Sequence, residues 1–252
     1  MTEQAPEPFE PFEHVDEDWR TAVAIVAHPD DMEYGGAAAV ARWTAQGKTV
    51  VYVMVTSGEA GIDAVSPEQC RPLREAEQIA SARVVGVETV EFLGHPDGVV
   101  EYGLPLRRDI ARVVRRHRPD IVITGNFRDT YGGVLLNQAD HIAVGRATLD
   151  GVRDAGNRWV FRELLDEGHQ PWNGVRQIWA AASPQARHAV DTTDTFDLGV
   201  ASLTEHKAYL AGLGGPGGAM VEPREFLEGA GRGAGTRLGT RFAVSFEVFP
   251  LR

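Results

Sequence analysis

The chain has 252 residues, 43% of them hydrophobic and 24% charged, with 36 acidic against 25 basic side chains and a formal net charge of −11. That composition excludes a disordered chain and supports a sizeable core, in one large domain or two small ones. The acidic balance argues against a surface built to bind nucleic-acid phosphates.

The acidity is concentrated at the start. Residues 1–18 carry Glu3, Glu7, Glu10, Glu13, Asp16, Glu17 and Asp18 and no Lys or Arg, leaving 29 acidic against 25 basic residues in the remainder. With Pro6, Pro8 and Pro11 this arm is expected to be extended or disordered unless held, with Phe9, Phe12 and Trp19 as candidate anchors. Residues 19–252 are expected to form a single domain. Residues 22–27 (AVAIVA) and 49–55 (TVVYVMV) read as fully buried strands, too short to span a membrane. Between them, 35–46 reads as a helix closed by Gly47. Residues 72–85 read as a helix ending before Gly86, and 88–93 as a third strand. Leu106, Ile110, Val113 and Val114 share one helix face. Residues 120–124 form a fourth strand, and a helix is expected from about 140 to 154. Further on, 176–182 reads as a strand, 196–211 as a helix, 212–218 and 229–239 as glycine-rich loops, and 240–248 as a late strand with Phe242, Val244, Phe246 and Val248 on one face. Buried strands alternating with helices predict an α/β, Rossmann-like, mostly parallel sheet flanked by helices on both faces. Such sheets bind ligands beyond the carboxyl ends of their strands.

The lone Cys70 rules out an internal disulfide and suits a reducing, cytoplasmic setting. The N-terminus lacks the basic-then-apolar pattern of a signal peptide, so none is expected. Lys48 and Lys207 are the only lysines beside 23 arginines, a composition bias without functional meaning.

The densest chemistry lies where the first buried strand ends, in Ala27-His28-Pro29-Asp30-Asp31-Met32-Glu33. One imidazole and two adjacent carboxylates in a proline-stiffened turn let His28 and Asp31 point at one centre, with Asp30 beside it. His plus carboxylate is a ligand set that suits zinc. The bland alternative is a polar turn whose aspartates cap the next helix. A third ligand is sought in Asn137-Gln138-Ala139-Asp140-His141, after the fourth strand. At a switch point its His141 would meet His28 and Asp31, and Asp140 would orient a ligand imidazole.

The segment AHPDDMEYGG resembles the signature of the PIG-L/LmbE-like zinc-dependent N-deacetylases. Thr56-Ser57-Gly58-Glu59-Ala60-Gly61, Arg74 with Glu77, Leu93-Gly94 with Asp97, Arg118-Pro119-Asp120 and Ala139-Asp140-His141 follow that pattern in order. The resemblance is good over residues 20–145 and weaker through 191–207. It implies His28, Asp31 and His141 as Zn²⁺ ligands, Asp30 as general base, Asp140 as the acid beside the last ligand, and Glu59, Arg74 and Asp97 near the substrate pocket. The implied activity is removal of an acetyl or similar acyl group from an N-acyl amine, foremost an N-acetylglucosaminyl conjugate of a small molecule. No membrane or nucleic-acid partner is implied, and a homo-oligomer is compatible. The chain departs from the family at Gln138, where a histidine is usual. Gln138 donates a neutral hydrogen bond but no proton, which leaves the acid role to Asp30, Tyr131 or His188.

Two rival readings remain open at this level. One is a magnesium-dependent phosphoryl- or glycosyl-transfer enzyme using Asp30 and Asp31, against which both histidines and the absence of a phosphate-binding loop count. The other is a non-catalytic sugar- or metal-binding protein. His95 reads as a loop residue near the pocket, and His206 as surface or packing.

Overall fold

The computed structural model describes residues 10–213 and 220–251. Eight strands form one sheet: β1 (Glu13–His14), β2 (Thr21–Val26), β3 (Thr49–Met54), β4 (Thr89–Phe92), β5 (Ile121–Thr124), β8 (Gln177–Ala181), β9 (His188–Asp191) and β10 (Ala243–Pro250). A separate hairpin pairs β6 (Thr130–Tyr131) with β7 (Leu135–Leu136). The sheet order is β1-β9-β10-β8-β5-β2-β3-β4, and β10 alone runs antiparallel to its neighbours. The expected mostly parallel α/β architecture is therefore present.

Alternation along β2 explains the two-faced core. Ala22, Ala24 and Val26 face a layer containing Trp19, Trp43, Trp179 and Phe246. Val23 and Ile25 face the opposite layer, with Leu106, Ile110, Val113 and Val144. The first layer is covered by α2 (Ala37–Ala45). The second is covered by α4 (Leu104–His117) and α5 (Ala139–Ala155). Because β3 departs to one side of β2 and β5 pairs on the other, the chain reverses its strand order between β2 and β5. Such a reversal is where open α/β sheets bind their ligands, at the carboxyl ends of the strands.

Several elements differ from the sequence reading. The first helix is two, α1 (Asp31–Gly35) and α2, joined at Gly36, whose backbone (φ −155°) leaves the helical range. The next helix, α3 (Pro67–Val84), starts five residues early because Ser66 and Pro67 supply its beginning, and Pro72 lies inside it. A short α6 (Glu163–Asp166) follows α5. The expected helix at 196–211 breaks at His206 into α7 (Phe196–Thr204) and α8 (Lys207–Gly212).

The expected loop at 229–239 is instead most of a helix, α9 (Pro223–Leu238), with Gly239 beyond its end at φ 83°. Ala234 and Leu238, four apart, pack on Phe12, Ala186 and Ala243, and this packing overrides the poor helix propensity of glycine. The other predicted loop, 212–218, falls largely outside the described residues. In the arm, Phe12, Val15 and Trp19 are buried and β1 pairs with β9, so residues 10–18 are held on the body. The candidate anchor Phe9 lies outside the described residues. Among the described residues no helix is long and apolar enough to cross a membrane.

Candidate metal centre

β2 runs into the turn carrying His28, Asp30 and Asp31. The segment after β5 returns through the β6–β7 hairpin to the head of α5, which carries Asp140 and His141. Because β2 and β5 are paired, these two segments meet. His28 Nδ1 lies 3.2 Å from His141 Nε2, and Asp31 Oδ1 lies 3.0 Å from the same His141 nitrogen. Asp31 Oδ2 also accepts the His28 backbone N–H at 2.9 Å.

The partners of the opposite ring nitrogens fix the tautomers. His28 Nε2 faces Asp140 Oδ2 at 3.2 Å and Asp97 Oδ1 at 3.1 Å, so it carries the proton. Asn137 donates through Nδ2 to the carbonyls of Asn126 and Arg128, which turns its Oδ1 toward His141 Nδ1 at 2.9 Å. His141 therefore donates from Nδ1, where the Tyr131 hydroxyl also stands at 3.0 Å. The lone pairs of His28 Nδ1 and His141 Nε2 are left facing each other beside the Asp31 carboxylate. Two acceptors and an anion at this separation need a cation between them, and the donor set fits a metal ion.

The electrostatics agree. Burial works against a charged His28, but Asp140, Asp31 and Asp97 raise its pKa well above the usual histidine value. Burial likewise opposes ionisation of Asp31, yet His141 and His28 hold it far below the usual carboxylate range. A cluster that grips a proton this way offers the same position to a metal ion, which binds only as that proton leaves.

Asp30 stands beside this centre with a left-handed backbone, φ 85°. Its Oδ2 accepts from Arg74 Nη2 at 2.6 Å. Burial pushes its carboxyl up to about 7, against the pull of Arg74 and His206.

The other anticipated residues fall into different positions. Asp140 binds the Gly98 and Val100 N–H groups and steadies His28 rather than its neighbour His141. Asp97, expected at the substrate pocket, sits behind His28 and accepts the Ala60 N–H. Arg74 is 1% exposed and lies beneath Asp30. Glu59 is buried, accepts the Ser57 N–H and pairs with Arg71 at 2.6 Å. Gln138 is exposed at the N-cap of α5, and among the described residues its side chain joins no hydrogen bond of the cluster. His188 lies on β9, three strands from β5, beside Glu13, which removes it as a proton donor here. His95 pairs with Asp109. Asn137, quoted only as part of its motif, and His206, read as surface or packing, were given no role. Asn137 had a signal, its i, i+4 spacing to His141, whereas nothing local marks His206.

A profile of the PIG-L family, described as GlcNAc-PI de-N-acetylase, matches residues 23–152. The chain belongs to this family. It is 26% identical over 201 residues to diacetylchitobiose deacetylase of Thermococcus kodakarensis, covering 79% of this chain and 72% of that protein. It is 27% identical over 207 residues to a 1D-myo-inositol 2-acetamido-2-deoxy-alpha-D-glucopyranoside deacetylase of Kineococcus radiotolerans, covering 66% of this chain and 53% of that protein. The chain thus spans about half the length of that relative. Among solved structures, N,N'-diacetylchitobiose deacetylase from Pyrococcus horikoshii has the same fold, with a TM-score of 0.83 at 24% identity over 93% of this chain and 85% of that one.

Proposed function

We propose that this protein is a zinc-dependent N-deacetylase that removes an acetyl group from an N-acetylglucosaminyl-type small-molecule conjugate. The observation that carries the reading is the pair of facing imidazole lone pairs beside Asp31, with the buried Asp30 carboxyl next to them. Family membership and the deacetylase relatives supply the substrate class.

In this reading His28, Asp31 and His141 hold the metal. The chemistry such a metal would supply is activation of a water molecule, whose pKa would fall from about 16 toward about 7, and polarisation of the acyl carbonyl. Arg74 engages Asp30 Oδ2, so Oδ1 is the oxygen that takes the proton of the attacking water. Asp30 then gives that proton to the departing amine nitrogen as the C–N bond breaks; the second water proton leaves the new carboxyl group for solvent, so the products are acetate and the free amine. One carboxyl serves as base and then as acid. Gln138, three residues before His141, supplies a neutral hydrogen bond to the acyl oxygen. Residues 19–252 act as one catalytic domain in a reducing, cytoplasmic setting, as a monomer or homo-oligomer.

The test is a screen of zinc-loaded protein over N-acetyl amino-sugar conjugates, read by amine release, with N-acetyl amino acids as comparison. Turnover of the sugar conjugates is expected. No release from any acyl amine, with zinc confirmed in the protein, overturns the reading.

A further inference from the structure

Behind Asp30 lies a ring of buried polar side chains, joined by hydrogen bonds except between Glu33 and His206, which face each other at ion-pair distance. The Asp30 backbone N–H donates to Gln78 Oε1 at 2.8 Å, and Gln78 Nε2 donates to Glu33 Oε1 at 3.1 Å. Glu33 Oε2 faces His206 Nε2 at 3.7 Å. His206 Nδ1 meets Arg74 Nη1 at 3.0 Å, and Arg74 Nη2 returns to Asp30 Oδ2 at 2.6 Å. Glu33, Gln78, Arg74 and His206 are each at most 1% exposed. The ring grips Asp30 at both its backbone and its carboxylate.

The donor count makes His206 specific. Arginine only donates, so His206 Nδ1 accepts and its N–H lies on Nε2, toward Glu33. The four terminal N–H groups of Arg74 match four acceptors: Asp30 and the Pro29 carbonyl on Nη2, Glu77 and His206 on Nη1. Tyr209 covers the guanidinium at 4.3 Å. The break between α7 and α8 aims His206 inward, with backbone φ −78° and ψ 54°. This residue lies beyond the stretch 23–152 that the family profile matches.

We propose that His206 is a positioning residue for Asp30: by accepting from Arg74 it fixes the guanidinium that orients the reacting carboxylate. The proposal rests on the catalytic reading of Asp30 given above. A left-handed Asp30 is a conformation that persists only when its surroundings over-determine it. Small displacements of a reacting group cost rate rather than binding.

The experiment compares wild type with His206→Ala, His206→Asn and His206→Gln, measuring kcat and KM on an N-acetyl amino sugar, zinc content, and crystal structures. Asn places an acceptor oxygen where Nδ1 stands, whereas Gln reaches toward the Nε2 position and leaves Arg74 unpartnered on that side. Expected are a fall in kcat of about 10- to 100-fold for Ala and Gln, unchanged KM and zinc content, and activity close to wild type for Asn. In the crystals the Arg74–Asp30 contact stays closed in the Asn variant and opens in the Gln variant. Equal kcat in all four proteins, an equal loss in all three variants, or a change confined to KM overturns the proposal. If the Ala variant does not fold, the Asn–Gln contrast decides. If wild type turns over no N-acetyl amino sugar, the functional reading fails. The crystal comparison then decides the positioning role alone, with an unmoved contact in the Gln variant overturning it.

Discussion

Asp30 joins three unusual properties in one residue: φ of 85°, nearly complete burial, and a carboxyl pushed up to about 7 mainly by that burial. Its neighbour Asp31 is ionised against the same burial by two imidazoles. In the proposed mechanism the two adjacent carboxyls divide into one that holds charge and one that exchanges a proton, and mutation should separate them. Asp30→Asn keeps every metal donor, so zinc content should stay at wild-type level while kcat falls about 10²-fold or more. His28→Ala removes a donor and should release the zinc itself. Metal analysis alongside amine-release kinetics checks both, and full activity in Asp30→Asn would remove it as the base. Asp140 acts one step further out, through His28 Nε2. Asp140→Asn should weaken zinc affinity by about 10- to 100-fold, as loss of an orienting carboxylate does at such sites, measured by competition with a chelator.

At the scale of elements, α9 separates what glycine permits from what it costs. A Cβ at Gly235 would meet the Arg241 carbonyl oxygen at 2.7 Å, so this glycine lets α9 approach the segment before β10. Gly233 is exposed with open space around its Cβ position. Gly233→Ala should therefore stabilise the protein by about 0.5–1 kcal/mol, the propensity gain of alanine in a helix. Gly235→Ala should destabilise it, and thermal or urea melts of the two variants should shift in opposite directions. The same contrast explains why α9 was not legible beforehand: a run of glycines reads as a loop until the surface it packs on is known. β2 and β3 were legible because burial on both faces leaves an unbroken apolar run. The candidate metal cluster was legible for a related reason. His28, Asp30, Asp31, Asp140 and His141 crowd the ends of two strands that a switch-point topology brings together. How deep Glu59, Arg74 and Asp97 lie was not legible, since a motif position carries no information on depth: all three are buried, with Arg74 on Asp30 and Asp97 on His28. His206 could be read only as surface or packing because its partners are 132 to 173 residues away along the chain.

For the whole molecule, the charge of −11 is more than an excess of acid on a tail. Glu17 of the arm accepts from Arg42 Nε and Nη2 at 3.0 Å each and from Trp43 Nε1 at 2.8 Å, tying β1 and its neighbours to α2. Burial opposes its ionisation, but Arg42 and Trp43 hold its pKa below the usual value. Glu91 is lowered first by its hydrogen bond to His117, with burial opposing and Arg116 assisting. Asp120 resists burial through the N–H groups of Arg20 and Thr21. Each of these groups binds protons more weakly folded than unfolded. Their stabilisation is therefore fully present above the unfolded carboxylate pKa of about 4 and is lost as pH falls through the lower folded values. Melting temperature should hold from pH 7 to about 5 and fall steeply below about 4. Glu17→Gln isolates one contributor: it should melt lower than wild type at pH 7, and the gap should narrow on acidification, because protonated Glu17 has also lost its charge. A gap that stays constant down to pH 3 would place the effect in packing of the arm instead of its charge.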